Sequence, residues 1–315
     1  MNNADRIQKV YEKYNYLQDD DIIENIAEVK MRNGEKSFEI KDMEITEDWK
    51  ELSRKAGYYT NKFERLESLY MLVLGDLARF NEIRNKLELS EAYSGSSKDL
   101  ASLPHLFMHI LSSGVLFLTY IENFMKEHYG KDSDAVKDMK SKLSDFYDNE
   151  FVYRFMYELR NYSQHKEIPV HNIETHLINH PKKKAKVEVE INTNKLIDSG
   201  YRWKEIFLKD FSERAPIIKV RYLLRDYFKI ISLVYGAANE IYLIKDVQVI
   251  LKIKEDLDQV YLNSSPLYIS KISKKSLAYN PTSYKLTPFP SQYDITKVMV
   301  KLSKMGLVEL IVTEN

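Results

Sequence analysis

One segment constrains the fold of this chain more than any other, and it runs from Phe151 to His165. Apolar side chains recur at helical spacing from Phe151 to Leu159, and the segment closes with Arg160, Asn161 and His165. The spacing predicts a helix with one buried face. Because residues four apart share a face of a helix, Asn161 and His165 should lie in one stripe, with Arg160 on the adjacent flank. Folding does not require these polar groups, so they are candidates for function.

The scarcity of residues that interrupt helices points to a mainly α fold. The 315 residues include nine Gly and eight Pro, and 44% of the side chains are hydrophobic, which is enough for a core. We predict a helical bundle with a β-hairpin inserted at about 168–193 and less regular extensions at both ends. The predicted division is an N-terminal extension (1–58), a helical domain (59–255) and a C-terminal extension (256–315), the last being a small α/β or winged-helix-like element.

Periodicity gives the individual elements of this fold. Strands are predicted at about 37–45, 170–178 and 186–193, and the last should point Val187, Val189 and Ile191 away from Glu188 and Glu190. Pro104 is expected to open one helix, and Asp132 or Ser133 to cap the next. Helices are predicted at about 5–31, 60–87, 104–128, 133–148, 150–165, 203–214, 217–254 and 295–304.

Charge and cysteine content bound the setting of the protein. The 47 basic residues balance 47 acidic ones, so any contact with nucleic acid must come from a local patch. The absence of Cys excludes disulfides and favours a reducing compartment. The first residues lack the pattern of a signal peptide, and no apolar run approaches the length of about 20 residues that spans a bilayer. We therefore expect a soluble, cytoplasmic protein that does not contact membranes.

The pattern Arg160-Asn161-Tyr162-Ser163-Gln164-His165 resembles the signature of the HEPN superfamily. Many members of that superfamily are all-helical, metal-independent ribonucleases whose signature is Arg, a polar residue, a short spacer and His near the end of a core helix. Here Arg160 matches the arginine, Asn161 the polar residue and His165 the histidine. The resemblance covers about residues 100–250, implies that the helical domain is HEPN-like, and suggests a setting in bacterial antiviral defence or in a toxin–antitoxin pair.

The chemistry of RNA cleavage fits these residue types. The 2′-hydroxyl is the nucleophile, so a metal-independent enzyme needs a proton-transfer group, for which His165 is suited, and a cation for the phosphorane, for which Arg160 is suited. Asn161 would orient the imidazole or bind the phosphate. The resemblance further implies a homodimer whose two motif helices share one cleft, and products with a 2′,3′-cyclic phosphate and a 5′-hydroxyl. RNA, a second copy and an antitoxin or other regulatory protein are the expected partners, with no cofactor.

The lysines of the predicted hairpin offer a backbone contact for RNA. Residues 166–186 carry five Lys against two Glu, a local net charge of +3. Lys182, Lys183, Lys184 and Lys186 could contact phosphates. A solvated hairpin tip, whose lysines prevent pairing with other strand edges, accounts for them equally well.

Other interpretations of the motif stay open. Arg160, Asn161 and His165 could cap the helix and interact with its negative end. The domain could bind RNA or nucleotides without catalysis, or serve as a helical scaffold in a larger assembly. A zinc site among the four histidines from His165 to His180 is not expected, because His171 and His176 would point to opposite faces of a strand. The nine isolated glycines provide no P-loop or dinucleotide fingerprint.

Overall fold

The computed structural model describes residues 22–32, 35–89, 97–178, 184–261, 267–273, 285–288 and 292–304. The described helices are α1 (Glu47–Leu89), α2 (Ser97–Tyr129), α3 (Asp134–Asn149), α4 (Phe151–His165), α5 (Thr193–Asp198), α6 (Glu205–Ser212), α7 (Val220–Tyr261) and α8 (Gln292–Lys304). The described strands are β1 (Ile22–Arg32), β2 (Glu35–Glu44), β3 (Asn172–Ile178), β4 (Lys184–Asn192), β5 (Ile217–Lys219), β6 (Leu267–Ser273) and β7 (Lys285–Pro288). The mainly helical architecture is confirmed.

The chain divides into two compact units. One is continuous and spans residues 65–242, and the other combines residues 1–64 with residues 243–315. The two ends of the chain thus belong to one unit. The boundaries predicted at 58 and 255 stay a sequence prediction, as does the winged-helix-like element, since residues 305–315 lie outside the described residues.

The unit formed by the chain ends contains a four-stranded antiparallel sheet in the order β2-β1-β6-β7. The strand β2 and the helix α8 were predicted. The helix predicted at about 5–31 is wrong from Ile22 onward, where the chain forms β1, and residues 5–21 lie outside the described part. From Ala27 to Arg32 apolar and charged residues alternate with a period of two, which suits a strand that pairs on both sides.

The helical unit is organised around α2, which packs against α3 and α4. Its buried side chains include Phe107, Phe117 and Phe124. The tilted pair of Tyr70 and Phe117 has ring centroids 6.0 Å apart, and the edge-to-face pair of Phe124 and Tyr242 has centroids 5.9 Å apart. These contacts bring the neighbouring parts of α1 and α7 against the same core.

Two helices begin earlier than the sequence predicted. The helix α1 starts at Glu47 because the Thr46 hydroxyl accepts a hydrogen bond from the Trp49 backbone at 3.3 Å and so caps it. The helix α2 starts at Ser97 and keeps Pro104 inside it, where the proline forfeits a single backbone donor. The predicted Ser133 cap is confirmed. Between the two helices Gly130 has a φ of 85°, a conformation that favours glycine.

The helix α2 also bears on the expectation of a soluble protein. Residues Lys98–Tyr129 are long and apolar enough, by length and composition, to cross a membrane, so the expectation that no such stretch exists was wrong. Among the described residues it is the one helix that passes this test, and 44% of the window concerned is buried inside the protein. Core helices of soluble proteins pass the same test, and α2 packs as one. The cytoplasmic location stays a prediction.

The predicted hairpin is confirmed as β3 and β4, which join β5 in an antiparallel sheet of order β3-β4-β5. Val187, Val189 and Ile191 alternate with Glu188 and Glu190 along β4, as predicted. All five are buried, the glutamates included, because β4 is the central strand of this sheet and side chains from its neighbours cover its polar face.

Candidate functional site

The first part of α4 fixes this helix in the unit through a buried ion pair. The Arg154 guanidinium donates from Nε to Asp210 Oδ2 at 2.8 Å and from NH2 to Asp210 Oδ1 at 2.7 Å. Its NH1 donates to the carbonyl oxygens of Tyr147 and Asp148 at 3.3 and 3.2 Å. The hydrogen bond to Asp210 raises the pKa of Arg154 despite its burial. This arginine therefore links α4 to α6 and to the end of α3.

Two further polar groups of α4 find partners in the same way. Tyr201 donates its hydroxyl to Glu158 Oε1 at 2.5 Å, and burial together with that carboxylate raises the pKa of Tyr201. Tyr162 donates to Glu167 Oε1 at 2.9 Å, a bond that reaches from inside the motif to just beyond the helix end. The Tyr162 ring stacks on Trp203 with centroids 5.5 Å apart. These contacts hold the backbone around His165.

The motif residues occupy the least buried face of α4. Arg160 and Asn161 are half-buried, and His165, the last residue of the helix, is exposed. Tyr157 and Gln164 are exposed on the same side. We call these five residues the motif face. The prediction that α4 is a buried helix ending at His165 is confirmed, and the predicted roles of the three motif residues stay predictions.

The side chains of Arg160, Asn161 and His165 make no hydrogen bond or ion pair with any residue that the structure describes. Arg160 shows this most clearly, because its Nε is buried and has no hydrogen-bond partner. A buried donor without an acceptor costs free energy. No motif side chain donates to the last carbonyls of the helix among the described residues: the Tyr162 carbonyl accepts from the Lys166 backbone at 2.9 Å, and the Arg160 carbonyl accepts from the Ser163 hydroxyl at 2.7 Å. His165 does lie in the last turn, where a basic side chain favours the negative end of the helix, so this interpretation stays open for His165.

Helical geometry separates the motif residues into two groups. At 3.6 residues per turn, Asn161 and His165 lie about 40° apart around the axis, while Arg160 and His165 lie about 140° apart. No hydrogen bond joins Asn161 to His165 within this part of the chain. The helix α4 therefore presents Arg160 and His165 on opposite flanks of the motif face, with Tyr157, Asn161 and Gln164 between them.

A second histidine close to the motif has a structural place that the sequence did not indicate. His171 Nδ1 accepts the Asn192 backbone N–H at 3.1 Å, and the His171 backbone donates to the Glu190 carbonyl at 2.9 Å. Its Nε2 is buried without a partner among the described residues. Burial lowers the pKa of His171, Glu167 opposes this effect, and Lys195 adds to it. This neutral imidazole secures the start of β3 against β4.

The structure places the predicted RNA-binding lysines only in part. Lys182 and Lys183 lie outside the described residues, and Lys184 begins β4 without a described side chain. Lys186 is half-buried, and its Nζ lies 2.6 Å from Glu188 Oε1. Lys186 thus pairs with a buried carboxylate of its own strand.

The described residues contain no group of three or more His, Asp or Glu side chains that could hold a metal ion. His180, one of the four histidines considered for zinc, lies outside them. The chain matches no protein-family model, no curated protein and no solved structure. The likeness to the HEPN superfamily accordingly rests on the six-residue motif and its position at the end of a buried helix.

Proposed function

We propose that this protein is a metal-independent endoribonuclease of the HEPN type. The observation that carries the proposal is the motif face: Arg160 Nε is withdrawn from water without an acceptor among the described residues, and an exposed histidine lies on the other flank of the same helix end. An oxyanion of RNA supplies the missing acceptor. Elsewhere on α4 the buried Arg154 and Glu158 find partners inside the chain, so the lack of one for Arg160 is not general to this helix.

The proposed reaction is an in-line transesterification. One His165 accepts the proton of a 2′-hydroxyl as its oxygen attacks the adjacent phosphorus. The bond from phosphorus to the 5′ oxygen breaks, and a protonated His165 donates a proton to that leaving oxygen. Arg160 donates paired hydrogen bonds to the nonbridging oxygens, which carry the developing charge. The products are a 2′,3′-cyclic phosphate and a 5′-hydroxyl, with no net change in protons.

The geometry of α4 favours a site shared by two copies. The reaction uses an acid and a base, whereas one chain offers one motif histidine. Arg160 and His165 also lie on opposite flanks of their own helix, about 140° apart. Two motif helices packed side by side would bring the arginine flank of each copy towards the histidine flank of the other. We therefore include a homodimer with a composite cleft in the proposal.

Incubation of the full chain with total RNA and with tRNA in EDTA tests this function. We expect cleavage that leaves cyclic phosphate ends, and a decrease of about 10²–10⁴-fold in His165→Ala. His105→Ala is the matched control, because His105 is an exposed histidine of α2 that belongs neither to the motif face nor to the predicted lysine contacts. It should cleave like the parent protein.

The composite site has its own test. Because the reaction uses both histidines of a dimer, an excess of His165→Ala chain allowed to exchange with the parent chain should lower cleavage below that of the same amount of parent chain alone. Absence of cleavage by the parent protein would contradict the proposal. In that case, loss of RNA binding in Arg160→Ala would favour a non-catalytic binding module, and loss of stability in both variants would favour a scaffold.

A further inference from the structure

Three cations from three different elements converge on one buried carboxylate oxygen. Glu188 Oε1 lies 2.6 Å from Lys186 Nζ in β4, 3.4 Å from Arg221 NH1 in α7 and 3.9 Å from Lys219 Nζ in β5. The Glu188 side chain is 1% exposed, whereas those of Lys186, Lys219 and Arg221 are 35%, 40% and 27% exposed. The carboxylate therefore lies beneath the surface and the three cations lie above it.

The cations of this cluster are only partly committed to Glu188. Burial alone would favour the neutral acid, but the hydrogen bond from Lys186 and the charges of Arg221 and Lys219 lower the pKa of Glu188 below its usual value, so Glu188 is ionised at neutral pH. Two further carboxylates share this face of the sheet: Glu174, opposite Glu188 in the register, binds Asn172 and His176, and Glu190 lies opposite Lys219. Lys219 Nζ and Arg221 NH1 stay 3.9 and 3.4 Å from Glu188 Oε1, and part of each side chain remains in solvent, where an anion can reach it.

An exposed aromatic ring adjoins these cations. Tyr222 is 46% exposed. The guanidinium carbon of Arg221 lies 4.4 Å from the centroid of its ring, and that of Arg225 lies 5.4 Å away. Arg225 also binds Asp226 through two hydrogen bonds, at 2.9 and 3.1 Å. Two arginine side chains therefore contact the Tyr222 ring, while part of its surface faces solvent.

Helix stability does not explain this arrangement. Arg221 and Tyr222 lie in the first turn of α7, which contains no acidic residue. Cations near the positive end of a helix dipole are unfavourable, and Lys219 directly precedes that end. A single lysine would suffice to pair with Glu188. Lys219 and Arg221 therefore lie near a helix start, where contact with an added anion would be favourable.

We propose that Lys186, Lys219, Arg221 and Tyr222 form a platform that binds single-stranded RNA. The cations would contact phosphates while Tyr222 stacks on a base, the combination of groove charge and aromatic surface that binds single strands without sequence preference. The choice of RNA as the ligand rests on the proposed function. The platform adds Lys219, Arg221 and Tyr222 to the contacts predicted from the hairpin sequence.

Fluorescence anisotropy of a short labelled single-stranded RNA, in EDTA and over a series of salt concentrations, tests the platform. The His165→Ala chain serves as the parent so that the RNA stays intact. Adding Lys219→Gln and Arg221→Gln together should weaken binding and flatten the slope of log affinity against log salt by about 1.4, since each lost phosphate contact on a single strand removes about 0.7.

The matched control is the pair Lys137→Gln and Lys209→Gln. Both lysines are exposed on the same unit, and each pairs only with a carboxylate of its own vicinity, Asp134 at 3.5 Å and Glu213 at 3.9 Å. This pair removes the same charge and should leave the salt slope unchanged. Equal slopes for the two double variants would overturn the proposal.

A Tyr222→Ala variant provides a second test that does not disturb Glu188. It should weaken RNA binding roughly tenfold and leave the salt slope unchanged, because stacking does not release counterions. Tyr222→Phe keeps the ring and should bind like the parent. Unaltered affinity in Tyr222→Ala, or binding of anionic lipid vesicles without binding of RNA, would overturn the proposal.

The two proposals fail in different ways. Platform-dependent RNA binding by a protein that never cleaves RNA would support the platform and contradict the ribonuclease. His165-dependent cleavage with RNA binding indifferent to Lys219, Arg221 and Tyr222 would support the ribonuclease and overturn the platform.

Discussion

Arg154 and Arg160 lie six residues apart on the same helix and differ in the hydrogen-bond partners of their side chains. Arg154 makes two hydrogen bonds to Asp210 and two to backbone carbonyls, so its charge and donors are satisfied inside the chain. Arg160 is also partly withdrawn from water, yet its Nε is buried with no partner in the described part of the chain. The helix thus contains one arginine whose donors are satisfied inside the chain and one whose Nε lacks a partner among the described residues, as our proposal requires.

This difference extends to the neighbouring residues of each arginine. Glu158 and Tyr162, like Arg154, bind residues that follow the helix in the chain, at 2.5 and 2.9 Å. Asn161 and His165, like Arg160, bind none of the described residues. A polar group removed from water lowers stability unless it has a hydrogen-bond partner. The residues with partners inside the chain and the residues of the motif face should therefore respond differently to substitution. The buried set should change folding, and the motif face should change activity.

The largest effect on stability is expected from Asp210→Ala. This variant leaves the Arg154 guanidinium buried without its carboxylate, which should lower the free energy of unfolding by about 3–5 kcal/mol. Urea denaturation measures the change. Asp198→Ala, at an exposed position that ends α5, is the control and should change stability by less than about 0.5 kcal/mol. Similar values for the two variants would contradict a structural role for the Arg154 pair.

An intermediate effect is expected from Tyr201→Phe. The variant keeps the ring that contacts Tyr162 and Trp203 but removes the donor to Glu158, leaving a buried carboxylate oxygen unsatisfied at a cost of about 1–3 kcal/mol. Tyr157→Phe, on the exposed side of the same helix, should cost far less. Equal losses of stability in the two variants, again by urea denaturation, would show that the two sides of α4 do not differ.

The smallest effect concerns pH and two histidines six residues apart. Because the pKa of His171 is lowered in the folded state, the unfolded chain takes up the proton first as the pH falls below about 6.5. The contribution of neutral His171 to stability is therefore present above that pH and is lost as the pH falls towards the folded pKa. His171→Gln should flatten the fall in melting temperature between about pH 7 and pH 5. His165→Gln, at an exposed position, should not, and identical profiles for both variants would refute the assignment.

Local patterns predicted a substantial part of the fold. The bounds of α4 and the β3–β4 hairpin follow from apolar periodicity and from turn residues, both of which act over a few neighbouring positions. β1 was misread because Ile22, Ile26 and Val29 fit helical spacing, while its first part, Ile22–Glu28, pairs with β6, far along the chain.

Long-range pairing explains the rest of what the sequence did not indicate. The partner of Arg154 lies 56 positions along the chain, and nothing in the sequence around Arg154 identifies Asp210. The cations around Glu188 come from β4, β5 and α7 and meet only when the sheet forms. The motif itself could be read from the sequence, because its residues are adjacent on one helix. What the sequence could not show is that the side chain of Arg160 has no hydrogen-bond partner among the residues that the structure describes.

The central claim, that the motif face serves activity and the buried side of α4 serves folding, is tested most directly by Arg160→Gln. Its free energy of unfolding and its RNA cleavage in EDTA should be measured on the same preparation. We predict a change in stability within about 0.5 kcal/mol and a loss of cleavage of about 10²–10³-fold. A loss of stability like that of Asp210→Ala, with cleavage unchanged, would contradict the claim.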